Sequence, residues 1–317
     1  MSYLVEDIFK TEMKATREGF GEGIVEVARR DEKVVVLCAD LEESMRVVEF
    51  AKTFPGRFIE VGVAEQNMAG VAAGLALEGL TPFITSFAVF SPGRNWDQIR
   101  VSIAYTHTNV TIVGGHTGIA VGEDGATHQG LEDIALMRVL PHMTVVVPCD
   151  AEQTKKAVHA LTQMKGPAYL RVARPRTAVF TSRAASFEIG KAQLLRAGKD
   201  VSVVGCGPIL YQAMLAAEEL KGEIDVEVIN MHTIKPLDEE VLIRSAGKTG
   251  RVLTIEDHQT TGGLGGAVAE VLGEKLPIKM LRLGMKDVFG ESGRADELLK
   301  KYGLDKEGII KSIRKLV

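Results

Sequence analysis

Cysteine is scarce in this chain of 317 residues: Cys38, Cys149 and Cys206 are its only three, far apart and without a Cys-x-x-Cys pair. That spacing argues against a cysteine zinc site and against a secreted disulfide framework. Aromatic residues are also few, at 5% with a single Trp, so a core must be assembled mainly from Val, Leu, Ile and Ala. Gly, Pro or a charge breaks every apolar run before it reaches membrane-spanning length, and no signal peptide opens the chain. Charge of either sign is barely in excess: 38 Lys and Arg against 42 Asp and Glu leave −4. Nothing here calls for a nucleic acid or an anionic membrane as partner, and a soluble cytoplasmic protein is expected. Internal repeats and low-complexity segments are absent as well.

What is present is ordinary for a globular protein, with 45% hydrophobic and 25% charged residues. The length suits two domains of ~100–200 residues each. Short β-rich runs at 34–38, 58–63, 82–86, 110–113, 143–148 and 168–172 alternate with helical patterns at 68–77, 95–104, 131–139 and 151–164. Residues 4–30 carry helical periodicity through Val5, Ile8, Phe9, Phe20, Ile24 and Val27. Such alternation predicts an α/β fold of two consecutive domains, each a mostly parallel sheet flanked by helices. The first domain covers 1–175, a linker with a short strand pair covers 176–197, and the second domain covers 198–317. In the second, strands at 226–230, 252–256 and 278–283 follow a strand from Val201 into the turn Gly205-Cys206-Gly207. That turn lacks the third glycine of a dinucleotide fingerprint, and no acid closes the next strand. Residues 260–266, TTGGLGG, could cradle a phosphate at a helix N-terminus but read rather as a tight strand-to-helix connection or as a surface that packs on another subunit.

Two stretches carry candidate chemistry. Glu65 stands where the 58–63 strand hands over to the 68–77 helix, in the most apolar part of the first half. The helix is small-residue-rich and reads as buried on most sides, with Gly70 and Gly74 allowing close neighbours. Glu65 can be a first-turn acid favoured by the helix dipole, or a buried carboxyl whose pKa rises toward neutrality. The second stretch is HTGIAVGEDGATHQG, 116–130, with four glycines, His116, His128, Glu123 and Asp124 in fifteen residues. A loop that long inside a compact domain is usually functional, and its histidines match no metal-binding spacing. Phe87 and Phe90, three apart, read either as core or as a stacking face.

The blocks VAEQNMAGVAAGLALEGLTPFITSF, GEDGATHQ, VLPHMTVVVPCDAEQ and FGESGRADELLKKYGL occur in this order from residue 63 onward. Together they resemble the C-terminal half of thiamine-diphosphate-dependent transketolases, the pyrimidine-binding domain followed by the C-terminal domain. The resemblance implies that Glu65 hydrogen-bonds N1′ of the cofactor's aminopyrimidine, with Phe87 and Phe90 stacked around that ring and Asp40 as a further cofactor contact. It implies His128 beside the reacting carbonyl, stabilising alkoxide and moving protons. Asp124 would recognise a substrate hydroxyl. Arg17, Ser44, His116 and Arg174 would recognise phosphate, with Arg171 as the alternative arginine. A third aromatic common in the family falls near Gly93 here. The family's Gly-Asp-Gly and Asn-Asn segments, which hold diphosphate and a divalent metal, have no counterpart in the sequence. The implied protein is therefore one subunit of a split transketolase. Mg²⁺ or Ca²⁺ would be held mainly by a separate N-terminal-type subunit, in an α2β2 assembly acting on sugar phosphates. Deoxyxylulose-phosphate synthases and the β subunits of 2-oxoacid dehydrogenase decarboxylating components are the neighbouring readings. A non-catalytic assembly subunit is a third.

Overall fold

A computed structural model describes residues 2–317. Its first domain holds β1 (Met13–Lys14), β2 (Val34–Cys38), β3 (Phe58–Glu60), β4 (Thr81–Phe87), β5 (Thr111–Gly115), β6 (Thr144–Val146), β7 (Ala168–Arg171) and β8 (Thr177–Ala178). The second adds β9 (Gln193–Arg196), β10 (Val201–Gly205), β11 (Val226–Asn230), β12 (Thr233–Lys235), β13 (Arg251–Gln259) and β14 (Lys279–Met285). The larger sheet runs β12-β6-β7-β5-β4-β2-β3 and the smaller β14-β13-β10-β11-β9. All pairings within them are parallel except those of β12 with β6 and β9 with β11. A parallel sheet needs both faces covered. Alternation along β2 shows how: Val34, Val36 and Cys38 enter the core formed with Phe20, Ile24, Ala157 and Val158, whereas Val35 and Leu37 enter the one formed with Met68, Ala72 and Ile103.

The Thr16–Ala28 and Ala151–Gln163 helices thus pack on one face and the Glu65–Leu77 helix on the other. Gly19 sets the spacing of the first pair, since a Cβ there would drive into the Ala151 carbonyl. In the second domain the Leu210–Glu219 and Lys306–Leu316 helices share one apolar cluster, and the Glu239–Thr249 and Leu264–Lys275 helices share another.

Several expectations are corrected. The 4–30 periodicity yields a helix only over Thr16–Ala28; Tyr3, Leu4 and Ile8 pack instead on the second domain's core, and Phe9 is exposed. The strand at 58–63 shortens to β3, an edge strand with partly exposed side chains rather than a buried one. The linker's two strands do not pair with each other: β8 pairs with β1, and β9 forms the edge of the second sheet. The domains also share hydrogen bonds, because β12 crosses to extend the first sheet. The helix after Glu65 is not enclosed on most sides. Gly70 and Gly74 have no atom within 4 Å of where a Cβ would stand, and Val71 and Leu77 on the same face are exposed.

Candidate active site

Glu65 is the first residue of its helix, held at the strand-to-helix turn that follows β3. Only 2% of it is exposed. Both carboxylate oxygens accept from one nitrogen, Arg94 Nη1, at 2.9 and 2.8 Å. The helix N-terminus adds favourable partial charge, and Asn95 Nδ2 fixes the turn by donating to the Glu65 carbonyl at 3.0 Å. A buried carboxylate is costly without a partner; the partner here lies 29 residues along the chain and is itself 47% exposed. Arg94 also lies over the Phe90 ring, 4.6 Å from its centroid.

That arginine stands beside the place where the resemblance implied a third aromatic. Gly93 has no room for a side chain, because a Cβ would collide with the Val89 carbonyl. Phe87 and Phe90 stack at 5.9 Å and 17°. His116 stacks on Phe87 at 3.6 Å, and His128 meets Phe87 and Phe90 edge-on at 6.0 and 5.6 Å. The resulting wall is aromatic with two imidazoles set into it. His116 has φ +51° and a buried Nδ1 without a hydrogen-bond partner among the described residues. Burial, then the charges of Arg17, Arg174 and His128, push its pKa down to about 3, so it is neutral at physiological pH. His128 is only half-buried, and its Nδ1 lies 2.8 Å from Thr127 Oγ1.

Beside the imidazoles is a cluster of guanidiniums. Arg17 Nη1 donates to the Ser44 carbonyl at 2.9 Å, and its buried Nε has no partner among the described residues. Burial, Arg46 and Arg174 lower its pKa to about 10. Arg174 holds the glycine-rich loop: Nη1 donates to the Val121 carbonyl at 2.6 Å and lies 3.5 Å from Glu123 and 3.6 Å from Asp124. Cations placed close enough to depress one another favour an anion between them.

Glu65, Phe87, Phe90, His116, His128, Arg17, Ser44, Asp124 and Arg174 thus form one chain of contacts and charge couplings. Asp40 stands apart, exposed at the end of β2 with φ +58°, its N–H donating to Glu60. Arg171 is interior, 5% exposed, with Nε and Nη2 on Asp133. Arg94 carried no sequence signal, since pairing across 29 residues leaves no periodicity. Arg46, which ends a short Glu42–Met45 helix with left-handed backbone, adds its charge to that of Arg174 at Arg17. Among the described residues no three His, Cys, Asp or Glu side chains are grouped to hold a metal ion, and no helix is long and apolar enough to cross a membrane.

Two family profiles match the chain in this order: Transketolase, pyrimidine binding domain over residues 12–179, and Transketolase, C-terminal domain over residues 190–309. The 6-deoxy-6-sulfo-D-fructose transketolase subunit SqwH of Clostridium sp. (strain MSTE9) is 44% identical over 304 residues, 96% of this chain and 94% of that protein. The transketolase of Homo sapiens is 38% identical over 308 residues, 96% of this chain but 49% of that protein. A solved chain described as a split gene transketolase, inactive beta4 tetramer, aligns with a TM-score of 0.90 at 45% identity, over 96% of this chain and 98% of that one. Matched through both domains and nearly end to end by subunits of split enzymes, the chain belongs to the transketolase family as a C-terminal-type subunit.

Proposed function

We propose that this subunit supplies the pyrimidine end of a thiamine-diphosphate site and transfers a two-carbon ketol unit from a ketose phosphate to an aldose phosphate. The observation that carries the reading is Glu65: a carboxylate almost wholly withdrawn from water, beside two stacked phenylalanines, at the head of a helix whose outer face is open. These groups suit a flat aminopyrimidine, which offers ring nitrogen to the acid and π-faces to the aromatics. The orphaned Nδ1 of His116 is a further polar atom awaiting a partner. Thiamine diphosphate, when bound, supplies the carbanion chemistry that cleaves a carbon–carbon bond next to a carbonyl.

The remaining work falls to the chain's own side chains. Glu65, turned from Arg94 toward a bound aminopyrimidine, would hold or share a proton at its ring nitrogen. His128, partly exposed at the edge of the aromatic wall, carries protons to and from the substrate oxygen. His116, held neutral, donates or accepts a hydrogen bond without adding charge. Arg17, Arg174 and the Ser44 loop hold the substrate phosphate, and Asp124 accepts from a substrate hydroxyl.

The diphosphate and its Mg²⁺ are held by a separate N-terminal-type subunit in an α2β2 assembly. Support comes from the missing Gly-Asp-Gly segment and from the open Gly70–Gly74 face, where small residues leave room for a neighbour to approach. The relative described as an inactive β4 tetramer fits a subunit that needs a second kind of chain. Reconstitution tests this. The chain is mixed with an N-terminal-type subunit, thiamine diphosphate, Mg²⁺, a ketose phosphate and an aldose phosphate, and the sugars are followed by NMR. Transfer that requires both subunits is expected; a correctly assembled complex that leaves the sugars unchanged would overturn the reading.

A further inference from the structure

The acid and the aromatic ring that carry the proposed function share one further neighbour. Arg94 Nη1 lies 2.9 and 2.8 Å from the two Glu65 oxygens, and the guanidinium carbon stands 4.6 Å from the centroid of Phe90. A guanidinium is flat, delocalised and rich in N–H donors, so it can pair with a carboxylate and lie against an aromatic ring at once. An aminopyrimidine offers the same combination, a planar π-system with hydrogen-bonding nitrogens at its edge. The proposed function, on which this inference rests, gives the cofactor's ring those same two partners. Glu65 and Phe90 cannot serve both groups together.

The contact is built so that one side of it can open. Backbone and turn are fixed: the Arg94 N–H donates to the Phe90 carbonyl at 2.9 Å, and Asn95 Nδ2 donates to the Glu65 carbonyl and to Ser91 Oγ at 3.0 and 3.1 Å. Movement is therefore left to the Arg94 side chain. That side chain is 47% exposed against 2% for Glu65, so the guanidinium has water beside it whereas the carboxylate has not. Arg94 is also the only salt-bridge partner of Glu65 among the described residues. A buried charge stripped of its partner is costly, so the pair stays closed until another group takes the guanidinium's place.

We infer that Arg94 is a built-in competitor of the aminopyrimidine, a latch that keeps Glu65 paired in the isolated subunit and must swing out of both contacts before the acid can meet a ring nitrogen. Holding the carboxylate in this way reduces the binding-competent fraction of the protein and weakens the apparent cofactor affinity by the same factor.

The test is calorimetric titration of thiamine diphosphate, with Mg²⁺ present, into the complex with the N-terminal-type subunit. Arg94→Ala should tighten binding by about fivefold or more. Arg94→Lys keeps a charge for Glu65 but loses the flat array of donors, and should fall between wild type and Arg94→Ala. Millimolar guanidinium chloride, compared with sodium chloride at the same concentration, should weaken binding to Arg94→Ala and leave wild type unchanged, because only the variant has room for a free guanidinium between Glu65 and Phe90. Equal or weaker binding by Arg94→Ala, or the same guanidinium response in both proteins, would overturn the latch. Should Arg94→Ala not assemble, an Arg94→Lys affinity no tighter than wild type would do so alone. Failure of wild type and variants alike to bind thiamine diphosphate would instead overturn the proposed function, and the latch with it.

Discussion

Arg174 has two candidate tasks in this structure, and substitution separates them. It braces the glycine-rich loop through Val121, and it stands beside Arg17 with a guanidinium available to an anion. Arg174→Ala should raise KM about tenfold or more for phosphorylated sugars, from losing a charged hydrogen bond of ~1.5–3 kcal/mol. Unphosphorylated sugars should respond far less, and equal effects on both would assign the arginine to the loop alone. A second residue-scale consequence concerns pH. His232 is fully buried and stacked on Phe187, and burial pushes its pKa down to about 4. Unfolded, it binds a proton near the ordinary pH 6.5; folded, it stays neutral until about 4. Its contribution to stability is thus complete above 6.5 and is lost as pH falls through that window. His232→Phe should remove about 2 kcal/mol of the stability lost between pH 6.5 and 5, read from denaturant melts at each pH. An unchanged pH slope would show that the imidazole is not held neutral. His258, with the same direction and cause, keeps part of the slope in the variant.

At the scale of elements, the same substitution should have opposite signs in two helices. Gly19→Ala pushes a methyl group into the Ala151 carbonyl where two helices touch, and overpacking of that kind costs about 1–3 kcal/mol. Gly70→Ala meets nothing, removes a helix-interior glycine, and should stabilise the isolated chain by about 0.5–1 kcal/mol. Thermal melts of both variants check the pair; equal signs would contradict the packing described. Periodicity made most strands and the main helices legible, because burial on one face leaves a repeat that composition cannot hide. It failed where partners are distant in sequence. Val5, Ile8 and Phe9 mimic a helix but belong to a segment that lies on the second domain. The glycines of the Glu65–Leu77 helix read as buried because small residues at i and i+4 have the composition of a packed face, whereas this one is open. The Glu239–Thr249, Ala295–Lys301 and Lys306–Leu316 helices went unread, although Asp238 and Asp305 cap the first and last of them. In the candidate site, Glu65 and His128 were legible from their setting and family resemblance, while Arg94 was not.

At the scale of the whole molecule, the proposed function joins the open helix face to the missing diphosphate-binding segment: it makes the chain half a site, to be completed by another subunit at that face. Gly74→Leu should leave the isolated chain folded, since no neighbour occupies that space, and should prevent assembly with the N-terminal-type subunit by sedimentation velocity. Assembly at wild-type affinity would move the interface elsewhere. The most direct measurement follows hydrogen–deuterium exchange at C2 of thiamine diphosphate by NMR in the reconstituted complex, comparing wild type with Glu65→Ala. Slowing by about 10²-fold or more in an intact variant complex is expected from losing the acid at the ring nitrogen; exchange at the wild-type rate would contradict the role assigned to Glu65.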